Sequence, residues 1–146
     1  MNWVKIIRMS LVLAVLIVCA VSDYRKKEIK LIFPVFLAIA AAAMFFLGRD
    51  IAVKSVIAGM AEGIVIIVLS QITQGRIGMG DGILLASTGL MLGWKDNLIM
   101  FFFACLLSAC VSVLILTLKK GDRETKIPFI PFMVPGFLIS VLIAVK

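Results

Sequence analysis

Between Asn97 and Leu118 the chain reads NLIMFFFACLLSACVSVLILTL, without one charged side chain. An α-helix needs about 20 predominantly apolar residues to cross the hydrocarbon core, so this stretch is long enough to span a bilayer. Five further runs of similar character flank it: Trp3–Ser22, Leu31–Gly48, Ile51–Ile72, Ile77–Trp94 and Ile127–Val145. They take up most of a 146-residue chain that is 63% hydrophobic with a mean hydropathy of +1.20, whereas soluble domains are roughly half apolar. The runs predict an all-α integral membrane protein of six transmembrane helices, one domain over residues 1–146. The connections between them leave no room for a folded soluble domain.

The net charge of +7, from 15 Lys+Arg against 8 Asp+Glu, would in a soluble chain raise nucleic acid as a partner. Its distribution points to the bilayer instead, because cytoplasmic connections of membrane proteins concentrate Lys and Arg. With the N-terminus outside, Arg25, Lys26, Lys27, Lys30, Arg76, Lys119, Lys120, Arg123 and Lys126 fall inside, while Lys5, Arg8, Arg49, Lys54, Lys95 and Lys146 fall outside. The first run also has the form of a cleaved secretory signal. The greater positive charge after it than before it favours a retained helix in this orientation.

The first run is free of charge from Met9 and extends back to Trp3 past Lys5 and Arg8, and two of the others carry internal charges. The third holds Lys54 near one end and Glu62 near its middle. Asp81 interrupts the fourth, and the stretch from there to Lys95 is only about 20 Å long as a helix. That helix is expected to start inside the membrane boundary, its Gly-rich approach shielded by protein or water. The small residues Ala38–Ala43 and the Gly59/Gly63 step are expected to let neighbouring helices approach closely.

Histidine is absent, and Cys19, Cys105 and Cys110 form no Cys-x-x-Cys pair, so neither a metal site of the usual ligands nor a histidine-based triad is available. No cofactor is implied. Carboxylates are what remain for acid–base chemistry. Asp23 follows the first run and Asp81 follows the third, so two crossings separate them and both lie on one side of the membrane. Two carboxyls sharing a proton can hydrolyse a peptide, the ionised member activating water while the protonated one polarises the carbonyl. Each also has a plainer use: Asp23 as an interfacial residue among basic neighbours, Asp81 as the N-cap of the fourth helix. A transporter or channel lining its path with Asp23, Glu62 and Asp81 is the rival from another class.

GMGD at Gly78–Asp81 matches the GxGD signature of intramembrane aspartyl proteases. With SDYRKKEI after the first run, GRIGMGDGILLAS, GLMLGW and KIPFIPFMVPG in order, the chain resembles the prepilin peptidases, or type IV leader peptidases. The resemblance implies a six-helix protease core in the cell membrane with its active site towards the cytoplasm. The implied substrate is a type IV prepilin or pseudopilin precursor, cut just after a glycine to remove its basic leader. Carried onto this sequence, the catalytic pair is Asp23 and Asp81, and Gly78 and Gly80 are the signature glycines. Two places differ from the usual pattern: Lys30 and Leu31 stand where Pro-Asn often follows the isoleucine, and Ile83 stands where lysine often follows the second aspartate. They bear on substrate preference and leave both carboxyls in place. The paired Cys-x-x-Cys insert of larger, methylating members is missing, so a protease-only short form is expected; an inactive scaffold is the remaining relative to test.

Pro128, Pro131 and Pro135 bracket the start of the sixth run. They either leave backbone groups open to bind a substrate strand, with Pro128 and Pro131 beside it, or merely set where the helix begins. Nothing in the sequence fixes the oligomeric state.

Overall fold

The computed structural model describes residues 3–26, 30–48, 51–74, 77–118 and 128–145. Among the described residues there are six helices: α1 (Trp3–Lys26), α2 (Ile32–Gly48), α3 (Val53–Ile72), α4 (Met79–Leu92), α5 (Trp94–Thr117) and α6 (Ile130–Val145). Three of them, α1, α3 and α5, are long and apolar enough to cross a membrane, and α2, α4 and α6 are shorter apolar helices. Of the basic residues used above for orientation, Lys27, Arg49, Arg76, Lys119, Lys120, Arg123, Lys126 and Lys146 lie outside the described residues.

Several boundaries differ from the sequence expectation. Helix α1 runs on through Lys26, so Asp23 sits inside its last turn rather than beyond its end. Trp94 opens α5 instead of closing α4, because the chain breaks at Gly93, whose φ of 81° is a conformation that suits glycine. Ser55 Oγ accepts the Trp94 N–H there at 3.3 Å, tying the corner to α3. Helix α6 begins at Ile130, past Pro128. At 14 residues α4 is short, as expected, about 21 Å.

Short as it is, α4 is the most enclosed helix, with Leu84, Leu85, Ser87, Thr88 and Met91 all buried. It lies against α1, α2, α3 and α5. Its contact with α3 is made backbone to backbone: a Cβ on Gly59 would lie 2.6 Å from the Gly89 carbonyl oxygen, and one on Gly63 would overlap Ala86. The Gly59/Gly63 step therefore does bring two helices together. On α2, by contrast, only Ala41 of the alanine tract is fully buried, while Ala42 and Ala43 are exposed. The core is completed by Val12 and Leu16 of α1, Leu37 of α2, Met100 of α5, and Met133 and Phe137 of α6. Phe36, Phe46, Phe102 and Leu142 stand exposed on the outside. Such a surface suits lipid, where burying large apolar side chains brings no gain over exposing them.

The buried hydroxyls of Ser87 and Ser140 are satisfied within their own helices. Ser87 donates to the Ile83 carbonyl at 2.8 Å and Ser140 to that of Phe137 at 2.8 Å. Both bonds run back along their own helix, which removes the penalty of placing a hydroxyl in an apolar interior.

Candidate active site

Asp23 comes from the last turn of α1 and is 8% exposed. Its Oδ2 accepts the backbone N–H of Ile130 at 3.1 Å, with a second backbone hydrogen bond from Phe129. The reason lies in the sequence of α6. The first N–H groups of a helix have no intrahelical partner, and Pro128 and Pro131 have no N–H at all, so Phe129 and Ile130 present the free donors of this end. An acidic group there satisfies those donors and meets the positive end of the helix dipole. The backbone considered for a substrate strand is thus already engaged, on its N–H side, by Asp23. A shallow concavity beside it is lined by Ala20, Val21, Tyr24, Arg25 and Pro131. Pro135, inside α6, has no N–H to give to the Pro131 carbonyl.

Asp81 stands in the first turn of α4. It does not cap the helix, as the plainer reading had it: the N-cap is Gly78, with φ −64° and ψ 117°, and no side chain bonds to the cap. The Asp81 carboxyl turns back over that residue, so that a Cβ on Gly78 would lie 2.6 Å from Asp81 Oδ2. Gly78 therefore clears the space the carboxyl occupies. Gly80 lies between them in the first turn. The segment ahead is held to α3 by Ser70, whose buried hydroxyl donates to the Ile77 carbonyl at 2.7 Å. Thr73 closes the end of α3 by donating to the Leu69 carbonyl at 2.7 Å.

The structure thus brings Asp23 and Asp81 to the same end of the bundle, from helices distant in sequence. They are near enough for the charge of Asp23 to act on the Asp81 carboxyl. Of the positions that differ from the usual family pattern, Ile83 is half-buried one turn into α4, and Lys30 and Leu31 are exposed. Among the described residues no three His, Cys, Asp or Glu side chains cluster as metal ligands.

Glu62 is engaged elsewhere. Its Oε2 accepts Asn97 Nδ2 at 2.7 Å, and Asn97 also accepts the Thr88 hydroxyl at 2.7 Å and donates to the Leu85 carbonyl at 3.3 Å. This chain of bonds ties α3, α4 and α5 together in mid-bundle. Asn97 and the peptide groups of Phe129 and Ile130 were not singled out from the sequence. A lone amide opening a charge-free run, and two N–H groups set between prolines, were the available signals.

An all-helical bundle with three membrane-length apolar helices is the architecture of a membrane protein. The model of the type IV leader peptidase family matches residues 10–113, a stretch that contains both aspartates. The chain belongs to that family. It is 29% identical over 133 residues to the prepilin leader peptidase/N-methyltransferase of Bacillus subtilis (strain 168), a match covering 89% of this chain and 53% of that protein. The chain therefore spans about half the length of that curated relative. No solved structure matches it.

Proposed function

We propose that the chain is a membrane aspartyl endopeptidase that removes the basic leader peptide from prepilin-like or pseudopilin substrates at the cytoplasmic face. All six helices form its GxGD core and together cross the bilayer as a single domain. Asp23 and Asp81 are the working pair. The observation that carries this reading is their meeting at one end of the bundle, within the segment that matches the family.

In this mechanism water lies between the two carboxyls. The ionised one takes its proton as water attacks the scissile carbonyl, and the protonated one donates to the carbonyl oxygen. Collapse of the tetrahedral intermediate returns a proton to the leaving amine, and the pair regains its single shared proton. Because the proton belongs to the pair, neither residue is the acid or the base throughout. The bonds from Ile130 and Phe129 hold Asp23 in place, and Gly78 gives Asp81 its room. The substrate chain lies along the concavity lined by Tyr24, Arg25 and Pro131.

The transporter reading is the weaker one. Glu62, which would line its path, is bonded to Asn97 away from the aspartates. Co-expression with candidate prepilins tests the proposal: a shortened product should form with the wild-type chain and not with Asp23→Asn or Asp81→Asn. Unprocessed precursor throughout, from a correctly inserted wild-type protein, would count against it.

A further inference from the structure

At the other end of the bundle lies a cavity of about 400 Å3, lined among others by Lys5 and Arg8 of α1, Ile51 ahead of α3, Met91 near the end of α4 and Asp96 in the first turn of α5. Arg8 and Asp23 are fifteen residues apart on one helix, about 22 Å, so the cavity is separate from the paired carboxyls. Arg8 is 3% exposed. Its Nη2 donates to the Met44 carbonyl at 3.2 Å, and among the described residues its buried Nε has no partner.

A guanidinium so enclosed is costly unless an anion meets it, since desolvation is offset only by a charged or fully bonded partner. The Met44 carbonyl satisfies one of its five donors. Lys5 stands one turn away on the same face of α1 and brings a second cation to the cavity. The starts of α3 and α5 also face this end, and neither Ala52 nor Gly93 caps its helix with a side chain. Apart from the Trp94 N–H, which Ser55 accepts, the first N–H groups of these helices add positive potential. Among the described residues Asp96 is the one negative side chain lining the cavity. Two cations with one carboxylate opposite match a ligand that carries a phosphate and an ammonium together.

We propose that this cavity binds a phosphoethanolamine group, its phosphate held by Arg8 and Lys5 and its ammonium by Asp96. Arginine's planar fork fits two phosphate oxygens at once, which a lysine in its place cannot do. A membrane phospholipid and a soluble phosphoethanolamine share this chemistry. The site is independent of the peptidase reading, and its test does not involve cleavage.

The full chain, delipidated in detergent, is incubated with phosphatidylethanolamine, phosphatidylglycerol, diacylglycerol or free phosphoethanolamine, and bound ligand is counted by native mass spectrometry. Phosphatidylethanolamine should be retained about tenfold or more over diacylglycerol and phosphatidylglycerol, as one charge-assisted contact provides. Equal affinity for free phosphoethanolamine would make the soluble compound the ligand of the same site. Lys5→Gln and Arg8→Gln should each lower retention about tenfold, and Asp96→Asn should erase the preference over phosphatidylglycerol. Arg8→Gln also removes the tie to Met44 and can fail to fold; Lys5 and Asp96 are only half-buried, so their variants decide the matter alone. Retention of diacylglycerol or phosphatidylglycerol as strong as that of phosphatidylethanolamine, or unchanged retention in Lys5→Gln and Asp96→Asn, would overturn the proposal.

Discussion

Asp23 does two things at once: it accepts the free peptide N–H groups at the start of α6 and it lies at the same end of the bundle as Asp81, near enough for its charge to act there. Asparagine in its place keeps an acceptor oxygen for Ile130 but cannot ionise. Asp23→Asn and Asp81→Asn are therefore expected to stay in the membrane and to lose leader removal by orders of magnitude. Cleavage assays on membranes from cells expressing each variant check this, and near wild-type cleavage by either would sink the dyad. The wild-type rate should trace a bell against pH, since one proton too many leaves no base and one too few leaves no acid. Gly78→Ala is a finer probe. The added methyl would meet the Asp81 carboxyl, the movable partner, so cleavage should fall about 10- to 100-fold through misplacement while the thermal midpoint barely changes. A variant that unfolds early instead would assign Gly78 to the fold and not to the site.

Among the helices, the tightest contact is between α3 and α4, where Gly63 leaves no room for a Cβ against Ala86. Gly63→Ala must push the two backbones apart and should lower stability by about 1–3 kcal/mol, read from thermal unfolding in detergent. An unchanged midpoint would mean that this approach is looser than described. Glu62 and Asn97 join the same two helices to α5 in mid-bundle. Glutamine at position 62 still offers an oxygen to Asn97 Nδ2, so Glu62→Gln should cost about 1 kcal/mol and leave most of the cleavage intact. Complete loss of processing by a normally inserted Glu62→Gln protein would return Glu62 to the centre of the mechanism.

For the whole molecule the question is whether it also methylates, as the name of its longer Bacillus subtilis relative says of that protein. S-adenosylmethionine is of drug-like size, and such ligands take concave pockets with several placed polar groups. The longest connection between helices here runs only from Leu118 to Phe129, too short to fold around it. We expect cleavage without methylation. Mass spectrometry of the mature pilin N-terminus, in a host with no other such enzyme, checks this: one added methyl group that depends on this chain would refute it.

Helix number and character could be read from the amino acids alone, because uninterrupted apolar length is a local property and decides what can lie in lipid. So could the placement of Asp23 and Asp81 at one end of the bundle, through the parity of the runs between them. Boundaries were less legible: by composition Asp23 follows the apolar run, yet hydrogen bonding carries α1 a turn further, since a polar residue ends a hydrophobic stretch without ending a helix. Tertiary structure alone decided which peptide groups Asp23 would hold, that Glu62 would find Asn97, and that Arg8 would be enclosed at the far end. Each depends on groups from residues 35 or more positions apart, and such meetings are set by how helices pack, to which no local pattern gives access.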